Sequence, residues 1–250
     1  MDLNADLAEG DALSPVDRML LDVVTSASLA CGFHAGSRIV MRAAAELCVE
    51  RGVAIGAHVS FRDRQGFGRR ALEVPAVQLA ADLVEQWETL VDEVTAAGGR
   101  VSYVKPHGAL YHSMASDREM AATVVDALAS FCTLFVGPPG AALAGPAAAS
   151  GVEVVSEGFC DRGYDAAGRL VPRGGTGDLI ADPTEVCRQA RSLATEGRVR
   201  SVDGTWVELT VRTLCLHGDQ PGADRRGRAV RDALTAAGVE VRAFAPAVNG

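Results

Sequence analysis

The sequence of 250 residues contains very little lysine: of its 24 basic residues, 23 are arginine and one, Lys105, is lysine. It has no G-x-x-x-x-G-K-[ST] segment, which argues against a Walker A nucleotide site. It also lacks the G-x-S-x-G nucleophile elbow and the H-E-x-x-H zinc helix. These absences argue against three common types of hydrolytic site. The histidines, the acids and the single lysine remain as the candidate chemistry.

Charge and cysteine usage restrict the class of protein further. A net charge of −8 and a pI near 5.2 argue against nucleic-acid binding, which needs a basic face. The six cysteines include no C-x-x-C pair and no zinc-finger spacing. The first residues carry acids where a signal peptide would carry cations and an apolar run. We therefore expect reduced thiols and a cytoplasmic protein.

One uncharged stretch, residues 131–152, has the length of a membrane span. It contains three prolines and several glycines, which would leave backbone groups unsatisfied in lipid. We interpret it as a buried strand followed by an alanine-rich helix. No membrane partner is expected.

Short β-branched segments alternate with helical patterns, which is typical of parallel βα units. The candidate strands begin near Leu3, Ser28, Val53, Val101, Thr133, Val152, Val211 and Val239. Eight strands match the count of a TIM barrel, and seven strands in a distorted barrel fit equally well. Since the chain shows no repeat or linker, we predict one (β/α)-barrel catalytic domain over residues 1–250.

Several helix and turn boundaries can be predicted from capping residues. Ser14, followed by proline, predicts the start of a first helix, and Gly52 predicts the end of a second. Pro75 opens a long helix, and Asp182 opens another. The Asp203-Gly204 dipeptide predicts a β-hairpin that is not part of the barrel.

Four of the five histidines stand just past β-like segments, namely His34, His58, His107 and His217. Titratable groups at the carboxyl ends of successive strands are the way in which α/β barrels build active sites. Lys105 lies two residues before one of these histidines, and a buried lysine can lose its proton whereas arginine cannot. This arrangement predicts an enzyme.

The first strand places three polar side chains on one face, because side chains alternate along a strand. These are Asp2, Asn4 and Asp6. If that face lines a barrel interior, Asp6 must meet a metal, a lysine or a histidine, since an unpaired buried carboxylate is costly. The alternative is a solvated strand with surface acids.

The loops after the next two strands carry candidate ligands for a substrate. His34 lies in a glycine-flanked loop, where the backbone can approach a ligand closely. The charged loop after His58 offers Arg64 or Arg69 to grip a carboxylate. A solvated loop with surface arginines is the alternative.

The segment around Lys105 has the highest density of candidate catalytic side chains. Lys105 could stabilise an oxyanion or protonate a leaving group, and His107 could act as a general base. Further along, Asp161 and Arg162 supply a second carboxylate and a guanidinium, or form a simple surface pair. His217 supplies the last histidine.

Six ordered segments together resemble the LamB/YcsF family: D-L-N-A-D-L-A-E-G, A-C-G-F-H-A-G, I-G-A-H-V-S-F-R-D-R-Q-G-F-G-R, V-K-P-H-G-A-L-Y, D-R-G-Y and C-L-H-G-D. The resemblance extends from Leu3 to about Asp219. It implies a distorted (β/α) barrel similar to the polysaccharide-deacetylase type. It departs from the usual family pattern at Ala8, Val59, Arg62 and Cys160.

The resemblance also implies a reaction, the ATP-coupled hydrolysis of 5-oxo-L-proline to L-glutamate by a 5-oxoprolinase in which this chain would be the A component, acting with subunits B and C. ATP would be a cosubstrate. The residues expected to act in catalysis are Asp6, His58, Lys105, His107, Asp161 and His217. The residues expected to bind the substrate are Asn4, His34, Arg69 and Arg162.

Two other interpretations stay open at this point. In the first, the chain is a stand-alone metal-dependent deacetylase or amidohydrolase, whose divalent ion would be held by Asp6, His34 and His58. In the second, it is a non-catalytic component that only binds 5-oxoproline and would tolerate substitution of Lys105 and His107.

Overall fold

The computed structural model describes residues 1–218 and 222–245. Its strands are β1 (Asp2–Leu7), β2 (Ser26–Ala30), β3 (Ala54–His58), β4 (Val101–Val104), β5 (Leu134–Gly137), β6 (Glu153–Phe159), β7 (Arg198–Arg200), β8 (Trp206–Glu208) and β9 (Thr213–Leu216). Its helices are α1 (Pro15–Leu20), α2 (Arg38–Arg51), α3 (Ala76–Ala96), α4 (Gly108–Ser116), α5 (Arg118–Leu128), α6 (Ala141–Ala149), α7 (Pro183–Glu196) and α8 (Ala223–Ala236).

Seven of these strands form a closed barrel in the order β1-β2-β3-β4-β5-β6-β9. Every neighbouring pair is parallel, and β9 closes the ring by pairing with β6 on one side and with β1 on the other. The predicted distorted barrel of seven or eight strands is therefore confirmed, with seven. The predicted hairpin is also confirmed: β7 and β8 pair antiparallel in a separate sheet. That the chain is one domain stays a prediction.

The strand predicted near Val239 is wrong. Residues 239–243 have no strand structure, although Arg242 N–H donates to Met1 O over 3.0 Å. The reason lies in the closure of the barrel. Because β1 already pairs with β2 and β9, it has no free edge to which a further strand could be added.

The helix boundaries follow the capping residues named above. Ser14 forms a capping box with Asp17 at the start of α1, and Asp182 accepts a hydrogen bond from the first turn of α7. Gly52 ends α2 with a left-handed φ of 68°. Pro75 is the N-cap of α3. Local sequence therefore sets where these helices begin and end.

The uncharged stretch at residues 131–152 contains β5 and α6, as predicted. Among the described residues, no helix combines the length and the apolar character that crossing a membrane would require.

The interior of the barrel requires small residues on β2 and β3, all of which are buried. Gly56 shows why. A Cβ atom at this position would lie 2.1 Å from the ring of Tyr103, which fills the neighbouring space from β4. Tyr103 and the small residues occupy one part of the interior, and the polar groups described next occupy another.

Candidate active site

The first strand lines the barrel interior with polar side chains. Asp2 accepts hydrogen bonds from the hydroxyls of Ser26 and Thr213 near the amino end of the strand. Asn4 donates to Thr213 over 2.7 Å. Asp6 lies at the carboxyl end. The predicted alternation is confirmed, and all three side chains meet groups from other barrel strands.

Lys105 lies in the centre of this polar interior and is only 2% exposed. Its Nζ atom is 3.0 Å from Asn4 Oδ1 and 2.8 Å from Asp6 Oδ1. It is also 2.7 Å from Glu157 Oε1 and 3.3 Å from Cys215 Sγ. Three N–H groups of the ammonium thus face four possible acceptors, and all of them belong to the protein.

Lys105 and Asp6 hold each other in the charged form. Desolvation alone would lower the pKa of Lys105, but the charges of Asp6 and Glu157 outweigh it and raise that pKa well above its usual value. Desolvation would raise the pKa of Asp6, but His58 and Lys105 hold it well below its usual value. The structure therefore favours a permanent ammonium. The oxyanion role of Lys105 stays a prediction and requires one of its contacts to break.

Glu157 was not singled out from the sequence, although it lies in β6 and its side chain is fully buried. A signal was present. Glu157 is followed directly by Gly158 and Phe159 at the end of a β-like segment; an acid buried there needs a cation, and the chain has one lysine.

Three histidines and two acids gather at the carboxyl end of the barrel. The rings of His34 and His107 stack with centroids 3.9 Å apart. His58 Nε2 lies 3.0 Å from His107 Nδ1 and 3.2 Å from Asp6 Oδ2. Glu9 Oε1 lies 3.4 Å from His34 Nε2 and 3.7 Å from His107 Nδ1. The strand-end positions predicted from the sequence thus converge on one location.

In each of the three histidines, the second ring nitrogen contacts a backbone or hydroxyl oxygen. His58 Nδ1 lies 2.9 Å from the backbone oxygen of Lys105, and His107 Nε2 lies 2.8 Å from that of Phe67. His34 Nδ1 lies 3.0 Å from Ser60 Oγ. These contacts hold each ring in one orientation.

Glu9 is not among the site residues that the sequence predicts. It follows Ala8, whose φ of 62° is unusual for a residue with a side chain and turns the chain at the end of β1. Burial, together with the charge of Asp6, raises the pKa of Glu9. Burial has the opposite effect on the imidazoles: it lowers the pKa of His34 well below its usual value and that of His107 to about 2. Both rings are neutral at physiological pH.

His217 and Asp161 form a second group on the same end of the barrel. Asp161 Oδ1 accepts from His217 Nδ1–H over 2.8 Å, and Oδ2 accepts from the His217 backbone N–H over 3.0 Å. The imidazole stacks on Phe159 with centroids 5.5 Å apart. Burial alone would lower the pKa of His217, but Asp161 outweighs it, and the pKa is raised. Asp219, which follows in the same segment, lies outside the described residues.

The two arginines predicted to hold a substrate differ in their surroundings. Arg162 is buried and donates to the backbone oxygens of Asp178 over 2.9 Å and of Val171 over 2.7 Å. It therefore ties the loop after β6 together. Arg69 is exposed, with its guanidinium carbon 5.0 Å from the centre of the Phe67 ring beside the histidines.

Side-chain exposure separates groups that can touch a substrate from those that support them. Glu9, His217 and Asp6 are 25%, 14% and 13% exposed. Five side chains of the site are 3% exposed or less in their ion pairs, namely His34, His58, Lys105, Asp161 and Glu157. A substrate at the mouth of the barrel, meaning the carboxyl ends of its strands, would meet the first set.

Comparisons with known proteins agree over nearly the full length of the chain. It is 48% identical to the A subunit of 5-oxoprolinase from Nocardia farcinica over 98% of this chain and 99% of that protein. It is 49% identical to the protein of the same name from Streptomyces avermitilis, over 98% and 100%. The crystal structure of a lactam utilization protein from Thermus thermophilus superposes with a TM-score of 0.91 at 41% identity, covering 98% of this chain and 99% of that one.

The family model of LamB/YcsF matches residues 1–249. This match, together with relatives that are almost half identical to the chain, shows that the chain belongs to the LamB/YcsF family.

Proposed function

We propose that this chain is the A component of an ATP-coupled 5-oxoprolinase, which hydrolyses 5-oxo-L-proline to L-glutamate together with subunits B and C. Relatives at about 48% identity that carry the name of the 5-oxoprolinase A component support this proposal. The observation that carries the chemistry is the position of Asp6 and His217, both partly exposed at the barrel mouth. One ligand atom of each, with one of Cys215, lies in a group whose members are within 4.8 Å of one another.

Hydrolysis of the lactam requires a water oxygen to bond to the ring carbonyl carbon, the C–N bond to break, and a proton to reach the nitrogen. In the proposed scheme, His217 accepts the proton of the water and later returns it to the nitrogen, while Asp6 orients the water. Asp161 accepts from His217 Nδ1–H, which leaves Nε2 available for this transfer.

The buried groups support this chemistry. Lys105 keeps Asp6 ionised, and His58 contacts the other oxygen of the same carboxylate. Arg69 binds the substrate carboxylate, because its guanidinium is exposed beside the Phe67 ring near the histidines. Asn4 holds Lys105 in place.

ATP enters the proposal as a cosubstrate of the assembled enzyme. The closed form of a five-membered lactam is favoured over the open form, so ring opening needs to be coupled to a second hydrolysis. Since the sequence contains no Walker A segment, the proposal does not place ATP in this barrel. Free cysteines and ATP use both fit a cytoplasmic enzyme.

The proposal is tested by measuring glutamate release from 5-oxoproline, with and without ATP, by the chain alone and with its B and C partners. We expect release only when ATP and all three proteins are present. Release by the chain alone without ATP would instead support a stand-alone amidohydrolase. No release in any combination would overturn the proposal.

A component that only binds the substrate is distinguished by substitution in the same assay. Asp6→Asn and His217→Asn are expected to reduce glutamate release by roughly 10²-fold or more, the usual contribution of acid–base groups. His112→Asn, at an exposed histidine, serves as the matched control. Full release by both site variants would mean that the chain delivers the substrate without taking part in the reaction.

A further inference from the structure

In each of the three clustered histidines, one ring nitrogen donates to a fixed acceptor. Backbone oxygens can only accept, so His58 donates from Nδ1 to Lys105 O, and His107 donates from Nε2 to Phe67 O. The same holds for His34. The Ser60 hydroxyl donates its own proton to Phe61 O over 3.0 Å and so must accept from His34 Nδ1.

The remaining ring nitrogens of the cluster are His34 Nε2, His58 Nε2 and His107 Nδ1. His58 Nε2 and His107 Nδ1 are 3.0 Å apart, so a proton or a metal ion must lie between these two nitrogens. His34 Nε2 is fully buried and has no hydrogen-bond partner among the described residues. A buried polar atom of this kind is a candidate ligand atom for a metal ion.

Glu9 completes the set with an oxygen. One ligand atom from each of the four residues fits in a group whose members all lie within 4.8 Å of one another. In a tetrahedral zinc site with bonds of 2.0–2.1 Å, ligand atoms are separated by about 3.4 Å. The contacts of Glu9 Oε1 with His34 Nε2 at 3.4 Å and with His107 Nδ1 at 3.7 Å are close to that separation.

We propose that Glu9, His34, His58 and His107 hold one divalent transition-metal ion of the zinc class. Imidazole and carboxylate ligands suit such ions, and the acceptors behind the rings are the outer contacts that orient histidine ligands. The set keeps His34 and His58 from the sequence prediction. Glu9 and His107 take the place of Asp6 in the predicted set. The Oδ1 atom of Asp6 pairs with Lys105, and Asp6 is absent from the four-residue group.

Such an ion would supply a Lewis acid or activate a water at the barrel mouth. The ion-binding proposal itself does not depend on the substrate. It would stand if the chain acted on another lactam, and it can be tested without the partner proteins.

The test uses the full chain, stripped with a chelator and titrated with Zn²⁺ against a chromophoric competitor. We expect uptake of one equivalent with submicromolar affinity, and an increase in Tm of several degrees on loading. Replacement with Co²⁺ should give the absorption bands of a site without thiolate ligands.

Variants locate the ion. Glu9→Gln and His34→Gln are expected to weaken Zn²⁺ binding by roughly 100-fold, and Ser60→Ala by about 10-fold through loss of the outer contact. His112→Gln is the matched control and should bind normally. If His34→Gln does not fold, as judged by circular dichroism, Glu9→Gln and Ser60→Ala carry the test.

Three results would overturn the proposal. The first is the absence of stoichiometric uptake. The second is unchanged affinity in Glu9→Gln and in either Ser60→Ala or a folded His34→Gln. The third is a cobalt–thiolate band that disappears in Cys215→Ser, which would place the ion in the neighbouring group of Asp6, Cys215 and His217.

Discussion

The ammonium of Lys105 lies 2.7 Å from Glu157 Oε1 in the barrel interior, where the two side chains are 2% and 0% exposed. Asp6 contacts the same ammonium at 2.8 Å. Two carboxylates thus share the only lysine of the chain. The arrangement explains why a sequence with 23 arginines retains one lysine here: a compact point charge can be surrounded by several acceptors, whereas a planar guanidinium needs a wider space.

Loss of this ammonium should destabilise the fold strongly. In Lys105→Met, Asp6 and Glu157 are left as buried acids without their cation, and we expect a loss of roughly 3–5 kcal/mol in the free energy of unfolding. Urea denaturation measures it. Arg212→Met is the control, because the pair that Arg212 forms with Glu153 is exposed and should contribute less than about 1 kcal/mol. Equal losses in the two variants would contradict the prediction.

Asp161→Asn should shift the pH dependence of glutamate release by the assembled enzyme. Asp161 raises the pKa of His217, so His217 becomes neutral, and able to accept a proton, only above that raised value. Activity therefore falls as the pH drops through it. Removing the Asp161 charge lowers the pKa of His217, and the acid limb of the kcat/KM profile should move to lower pH while kcat falls.

The matched control for this experiment is Asp165→Asn in the following loop. Asp165 is partly exposed and pairs with Arg169. We expect its acid limb to coincide with that of the unsubstituted chain. An unmoved acid limb in Asp161→Asn would exclude His217 as the base.

Gly68→Ala should damage the histidine cluster beyond its effect on the backbone. Gly68 has a φ of +65°, and a Cβ atom there would lie 2.8 Å from His107 Cδ2 and 2.9 Å from His34 Cβ. Gly98 has a comparable φ of +81°, but nothing lies within 4 Å of its added Cβ. Both alanine variants should lose about 1–2 kcal/mol through backbone strain.

Comparing the two glycine variants separates the effect on the histidine cluster from the general effect of backbone strain. We expect Gly68→Ala to lose Zn²⁺ binding and glutamate release, and Gly98→Ala to keep both. Calorimetric titration and the coupled assay measure the two properties. The same activity in both variants would mean that the rings tolerate displacement.

Arg69→Gln should raise the KM for 5-oxoproline by roughly 10-fold or more with little change in kcat, because it removes a contact with the substrate carboxylate that persists through the reaction. Arg162→Gln should behave differently. Its guanidinium donates to two loop carbonyls, so its loss is expected to lower the stability of the loop and reduce kcat. Steady-state kinetics and thermal unfolding separate the two; an unchanged KM in Arg69→Gln would remove Arg69 from the binding site.

The sequence was most informative where a local rule applies. Capping residues located the starts of α1 and α7, and the positions of His34, His58 and His107 after strands predicted their convergence. Both depend on short-range geometry. The parallel barrel then brings the ends of its strands together, whatever the distance along the chain.

Contacts between residues on different strands of the barrel could not be predicted from local sequence patterns. Glu157 and Lys105 are 52 positions apart in the sequence and meet only because their side chains both point into the barrel interior. Glu9 reaches the histidines because Ala8 adopts a left-handed φ, which alanine gives no reason to expect. The prediction of an eighth strand was wrong for a similar reason. The sequence at Val239 is typical of a strand, but the seven-stranded barrel is closed and leaves no edge for it to pair with.

Because Lys105 is buried, the reactivity of its amine reports how often the barrel opens. A protonated amine that is 2% exposed cannot react with an acylating reagent in the closed molecule. Modification at this position, read by mass spectrometry, would therefore count only those molecules that have opened. When reclosing is faster than acylation, the labelling rate reports the population of the open state, and bound ligands that stabilise the barrel should slow it.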